Sequence, residues 1–143
     1  MNIHQISVFL ENRTGQLAEI TKLLAQEHVD IRAISIAESS DYGLVRMIVD
    51  DSQKASAILL QHGDILSMTP VWAVEVPDRP AGLSDVLTVL AEAHVDVEYM
   101  YSLFTHREGA AYMVMRIHDE PRFLSTLGDR KIKIMTKDEL DLK

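Results

Sequence analysis

Two turns of matching type carry the groups best suited to bind a small charged molecule. The first reads Glu11-Asn12-Arg13-Thr14-Gly15-Gln16-Leu17 and the second Pro77-Asp78-Arg79-Pro80-Ala81-Gly82-Leu83. A glycine-containing turn that feeds a helix leaves the first N–H groups of that helix without partners, beside a partial positive charge, which suits a carboxylate. The N–H groups of Gly15, Gln16 and Leu17 could therefore seat the carboxylate of an amino acid. Its ammonium group would need acceptors, which Asn12 and backbone carbonyls near Ser35, Ile36 and Ala37 could supply. Arg13 and Arg79 stand at matching positions and could hold a carboxylate or phosphate, although solvated arginines are the commoner case. The competing reading is that Asn12, Thr14 and Asp78 simply cap helices.

Other chemistries lack their residue patterns. The six histidines, His4, His28, His62, His94, His106 and His118, show no close ligand pair of the kind zinc sites display. No serine sits in a Gly-x-Ser-x-Gly elbow, and neither a phosphate-binding nor a dinucleotide glycine pattern is present. Asp50-Asp51 falls at an expected helix start, where capping explains it. No catalytic residue, metal or cofactor is therefore expected. Tyr99, Tyr101, Phe104 and Tyr112 crowd the later strands, where an aromatic ligand wall competes with ordinary packing. A net charge of −8 argues against nucleic acid, whose binders gather Lys and Arg on one surface. No apolar run approaches the roughly 18 residues that span a bilayer, so no membrane partner is expected. With no cysteine, the chain reads as soluble and intracellular, compatible with the cytoplasm.

The elements that must position the two turns repeat with them. At a constant offset of 66 residues, Leu24-Ala25 meets Leu90-Ala91, His28-Val29-Asp30 meets His94-Val95-Asp96, Gly43 meets Gly109, and Met47 meets Met113. After Gly109 the second copy is two residues longer before its polar stop, Asp119 against Asp51. In copy one, Ile3–Leu10 alternates as a half-buried strand. Leu17, Ile20 and Leu24 form a helical stripe from about Gly15 to Glu27. Ile31–Ala37 and Leu44–Val49 read as strands joined by the turn Ser39-Ser40-Asp41-Tyr42-Gly43, and a helix capped by Asp51 or Ser52 follows. Ile65–Met68 then runs past Pro70 into Val71–Val76, the first strand of copy two. Copy two repeats with a helix near Gly82–Ala93, strands at Val97–Phe104 and Ala110–Ile117, a helix at about Pro121–Leu127 and a strand at Ile132–Met135. Thr136 and Glu139 form a capping box for a short C-terminal helix.

The expected fold is α+β: two ferredoxin-like βαββαβ modules in tandem, residues 1–69 and 70–143, each an antiparallel sheet with its helices on one face. The bare sheet face and a module of about 65 residues predict packing of copy on copy and a homodimer or larger assembly.

The repeated turn, helix stripe and element order together resemble ACT domains, whose signature is Asp/Asn-x-Pro-Gly-x-Leu, over almost the whole chain. The chain is similar to small stand-alone tandem ACT proteins, as are the stretches Ile31–Ala37 and Val97–Tyr101. The resemblance implies a sensor that binds a free amino acid at an interface between modules. It assigns ligand contacts to Asn12, Arg13, Thr14, Gly15, Gln16, Leu17, Ser35, Ile36 and Ala37. In copy two it assigns Asp78, Arg79, Ala81, Gly82, Leu83, Met100 and Tyr101. Thr14 replaces the signature proline and Ala81 the glycine, so copy one, with Gly15, ranks ahead. His28 and His94 stand where a left-handed glycine usually ends a helix. Two other classes stay open: a ligand-free module docking on an amino-acid metabolic enzyme, and a small enzyme on the same scaffold.

Overall fold

The computed structural model describes residues 2–11, 13–38, 41–105 and 107–143. It divides into two compact units: an N-terminal unit of residues 4–69 with 141–143, and a C-terminal unit of residues 1–3 with 70–140. Asn12, and Ser39 and Ser40 of the hairpin turn, lie outside the described residues. Among the described residues no helix is long and apolar enough to cross a membrane.

The N-terminal unit contains β1 (Ile3–Glu11), α1 (Gln16–Gln26), β2 (Ile31–Glu38), β3 (Tyr42–Val49), α2 (Ser52–His62) and the start of β4 (Leu66–Pro77). Its strand order is β2-β3-β1-β4, with β3 antiparallel to both β1 and β2. The register pairs Ile6 with Met47 and Val8 with Val45, so alternate residues of both strands reach the same face. There they pack against Ile20 and Leu24 of α1 and Ala55 and Leu59 of α2, all buried. Both helices thus cover one face of the sheet.

The C-terminal unit continues with the rest of β4, then α3 (Gly82–Glu92), β5 (Val97–Ser102), β6 (Ala110–Ile117) and α4 (Glu120–Asp129). Trp72↔Met115 and Val74↔Met113 set the antiparallel β4–β6 register. The helix-side core gathers Trp72, Val74, Val86, Leu90, Met115, Phe123 and Leu127. Tyr112 and Val114 point to the opposite face and are also buried.

Two expected elements come out smaller. The last strand is a single bridge, Val74↔Ile134, flanked by Glu75 N–H to Lys133 O at 2.9 Å and Met135 N–H to Ala73 O at 2.8 Å. The short C-terminal helix does not form. The Thr136–Glu139 capping box is in place, with Glu139 N–H donating to Thr136 Oγ1 at 3.2 Å. The helix goes no further than one turn, because Asp141 takes φ +54 and reverses the chain.

Both first helices begin from a left-handed residue, Gly15 at φ +86 and Ala81 at φ +70. Both end on a left-handed histidine, His28 at φ +59 and His94 at φ +57. His28 and Val29 donate back to Ala25 and Leu24, and His94 and Val95 to Ala91 and Leu90. This 5→2 and 6→1 pair is the closure a C-terminal glycine ordinarily provides.

The end of α2 is tied to the start of α1 by His62. Its Nδ1 lies 2.8 Å from Asp64 Oδ2 and its Nε2 3.2 Å from Glu19 Oε1. Only an imidazolium donates from both nitrogens. The Asp64 hydrogen bond raises the His62 pKa above the ordinary 6.5, against desolvation, and Glu19 adds to it. Glu19 is in turn held below its ordinary pKa, chiefly by Arg13 at 3.1 Å.

A histidine with a raised pKa contributes stability that is fully present below its unfolded pKa and lost as pH rises through the folded one. Glu19 has the opposite sign, so stability contributed by this cluster is greatest between the two transitions. An NMR titration should place His62 above 6.5, and Asp64→Asn should lower it. In His62→Gln, the fall of the urea midpoint from mildly acid to mildly alkaline pH should shrink. The turns give a second test. A Cβ on Gly82 would stand 1.9 Å from the Pro77 carbonyl oxygen. Gly82→Ala should therefore destabilise by at least about 1–3 kcal/mol. Ala81→Gly should stabilise by about 0.5–1 kcal/mol, the left-handed strain less the added unfolded-state entropy. Urea midpoints at constant m-value measure both.

Candidate functional site

A cavity of about 550 Å³ lies in the C-terminal unit beside the β4–α3 turn. One wall is the end of β4, with Glu75, Val76 and Pro77, and a second is the α3 face of Gly82, Asp85, Val86 and Val89. Gly109 and Ala110 border it at the start of β6, and Arg130, Lys131, Ile132 and Lys133 border it after α4. The turn itself is closed by backbone bonds: Asp78 N–H to Gly109 O and Gly82 N–H to Arg79 O, both 3.0 Å.

The local sequence leaves the start of α3 open. Ala81, the N-cap residue, has no side-chain oxygen, and neither α3 nor α1 has a side-chain cap bond. Helices α2 and α4 are capped, by Asp51 on Lys54 N–H and Asp119 on Arg122 N–H. The first N–H groups of α3 beyond Gly82 have no partner one turn back, so they can receive an anion.

The charges around the cavity are of both signs. Asp85 pairs with Arg79 at 3.3 Å, and Tyr112 Oη donates to Glu75 at 3.3 Å. Arg130 reaches Glu92 at 3.8 Å, and Lys133 is held by Glu139, which raises its pKa. Lys131 forms no ion pair among the described residues. Val76, Val86, Val89 and Ile132 supply apolar wall between these groups. Such a surface complements a zwitterion with an apolar portion. Among the described residues no group of three His, Cys, Asp or Glu gathers to hold a metal.

The equivalent place in the N-terminal unit is built differently. Met47 stands opposite Ile6 and Met115 opposite Trp72, so from β3 and β6 onward the offset is 68 rather than 66, and Gly43 and Met47 answer to Ala111 and Met115 rather than to Gly109 and Met113. Past the second helix the same offset holds, Phe9 N–H bonding Ile65 O as Glu75 N–H bonds Lys133 O, both at 2.9 Å. His62, Gly63 and Asp64 then answer to Arg130, Lys131 and Ile132, and Glu19 answers to Asp85. Where His62 bridges Glu19 and Asp64, Arg130 turns to Glu92 and meets no acid at Ile132. The two left-handed glycines of copy one, Gly15 and Gly63, become Ala81 and Lys131, both still left-handed at φ +70 and +56.

Of the residues that sequence reasoning assigned to ligand contacts, Gly82 alone lines this cavity. Asp78, Arg79 and Ala81 are exposed in the adjoining turn, while Leu83 and Met100 pack on the core. Tyr101 is buried on the face away from the helices, as its pairing with Val114 requires. In copy one Arg13, Thr14 and Gly15 are exposed, Gln16 is buried and Leu17 packs on the core. Ser35 and Ala37 are half-buried on β2 and Ile36 is exposed. The charged lining residues Glu75, Asp85, Arg130, Lys131 and Lys133 were not singled out. The two-residue lengthening of copy two was the signal that could have found those after α4.

A protein of Bacteroides thetaiotaomicron whose structure is solved is 33% identical, over 99% of this chain and 96% of that one, at a TM-score of 0.90. The regulatory subunits of aspartate kinase from Thermus thermophilus and Thermus flavus share the fold. They are 15% and 16% identical, with TM-scores of 0.66 and 0.63, over 90% of this chain and 91% and 92% of theirs. No curated protein matches. The profile of the ACT domain pair spans residues 1–142, and with the repeated βαββαβ order it establishes that this chain belongs to the ACT domain pair family.

Proposed function

We propose that this chain is a regulatory protein that binds a free amino acid in the cavity at the β4–α3 turn. One observation carries the reading: an uncapped helix start, acids and bases of both signs, and a valine wall meet around about 550 Å³. The ligand carboxylate would lie toward Lys131, Arg130 and the first N–H groups of α3. Its ammonium would lie toward Asp85, and its side chain against Val86 and Val89. Binding would act by favouring whichever state of the protein holds the ligand more tightly. The aspartate kinase regulatory subunits show the fold in a regulatory setting, which is support by analogy only.

A second reading, a module that docks on an amino-acid metabolic enzyme, draws on the N-terminal unit. Phe9 and Tyr42 stack at 5.0 Å and are 36% and 46% exposed, on the sheet face away from the helices.

A thermal-shift screen of the purified chain against the common amino acids at millimolar concentration decides between them. Selective stabilisation is expected, and a ligand at a hundred times its Kd adds about 2.7 kcal/mol. Lys131→Gly is the informative variant, because it removes the ammonium while relieving a left-handed residue. It should fold about 0.5–1 kcal/mol more stably, yet bind at least about tenfold more weakly. A flat screen on folded protein would sink the reading and favour the docking module, and full binding by Lys131→Gly would sink the cavity as the binding site.

A further inference from the structure

We infer a second small-molecule site in the same unit, at the cleft bordered by Asn2, Trp72, Thr136, Lys137 and Asp138. It stands independently of the cavity at the β4–α3 turn and shares no lining residue with it. The cleft measures about 500 Å³, which is the scale of small-molecule sites.

Three features mark it as more than a surface fold. Trp72 is only 4% exposed, and its indole Nε1–H has no acceptor among the described residues. Buried tryptophans nearly always find a partner for that group, and an orphaned donor calls for water or a ligand. Next, Lys137 and Asp138 are adjacent, of opposite charge, and without an ion pair among the described residues. Finally, the turn that presents them is fixed in advance. Thr136 and Glu139 exchange hydrogen bonds at 3.2 Å in both directions, and Lys133 anchors Glu139. The braced turn fixes the backbone from which Lys137 and Asp138 project, which lowers the ordering cost of binding there.

The chemistry of these groups selects the ligand class. A carboxylate is the acceptor that satisfies both the indole N–H and the Lys137 ammonium. Asp138 then calls for a cation on the same molecule, and the Asn2 amide can donate or accept. The class is a small zwitterion of amino-acid type. The indole nitrogen is itself covered, so a bound ligand must move Trp72 or its neighbours slightly, and Trp72 must therefore sense binding.

Trp72 is the one tryptophan in the chain, so its emission reports on this cleft. The full chain is titrated with individual amino acids at millimolar concentration. A saturable change in Trp72 emission is expected, and it should persist in Lys131→Gly. Lys137→Ala and Asp138→Ala, both outside the hydrogen-bonded box, should each weaken the response at least about tenfold. No saturable change with any amino acid on folded protein would overturn the site. So would a change that Lys131→Gly abolishes and Lys137→Ala leaves intact, since Trp72 would then be reporting the other cavity. A flat thermal-shift response in the Lys137→Ala variant with the Lys131 ammonium present counts against the β4–α3 cavity alone, which keeps the two proposals separable.

Discussion

Each unit depends on one backbone constraint: the chain must pass through the left-handed region between its first strand and its first helix. Gly15 at φ +86 and Ala81 at φ +70 make that passage. The next residue starts the helix and brings Ile20 and Leu24, or Val86 and Leu90, down onto the sheet. In copy two the approach is so close that Gly82 has no room for a Cβ beside the Pro77 carbonyl. The same geometry deprives both helices of a side-chain cap, because neither Gly15 nor Ala81 carries an oxygen. A feature demanded by packing thus leaves the starts of both helices without a side-chain cap.

Duplication lets the two copies use this geometry differently. In copy one the space between the start of α1 and the end of α2 is crossed by a charged network, Arg13 to Glu19 to His62 to Asp64. In copy two Asp85 is one methylene shorter than Glu19, and Ile132 replaces the acid at Asp64. Among the described residues no side chain then bridges the start of α3 to the segment after α4, and Arg130 pairs instead with Glu92 at the far end of α3. The backbone scaffold is the same; charge placement separates a tied pair of helices from an open cavity.

Much of this was legible in the sequence because it is local or repeated. The stripe of Leu17, Ile20 and Leu24, the alternation of β1 and the 66-residue offset all follow from spacing. The left-handed histidines were legible too, from their place just after a helix stripe. The cavity was not, because its lining comes from four separate segments and its cations follow the two-residue insertion that breaks the offset. Tyr101 illustrates the other limit. The β5 bulge between Val97 and Tyr99 resets which residues face the helices, so Met100 turns to the core and Tyr101 away. The C-terminal helix failed although its capping box was read correctly, since a cap cannot extend a helix past a left-handed Asp141.

Left-handed backbone disfavours any residue with a Cβ, and copy one meets the requirement with glycine at both Gly15 and Gly63. Copy two places Ala81 and Lys131 in the same conformations, at roughly 1 kcal/mol each. Neither substitution helps the fold, and both fall at the cavity, Lys131 as part of its lining and Ala81 beside Gly82. Glycine at Lys131 would keep the backbone and lose an ammonium that has no ion pair among the described residues. Strain concentrated where a charge is presented, and absent from the matching position of the tied copy, is what binding at that position would select for.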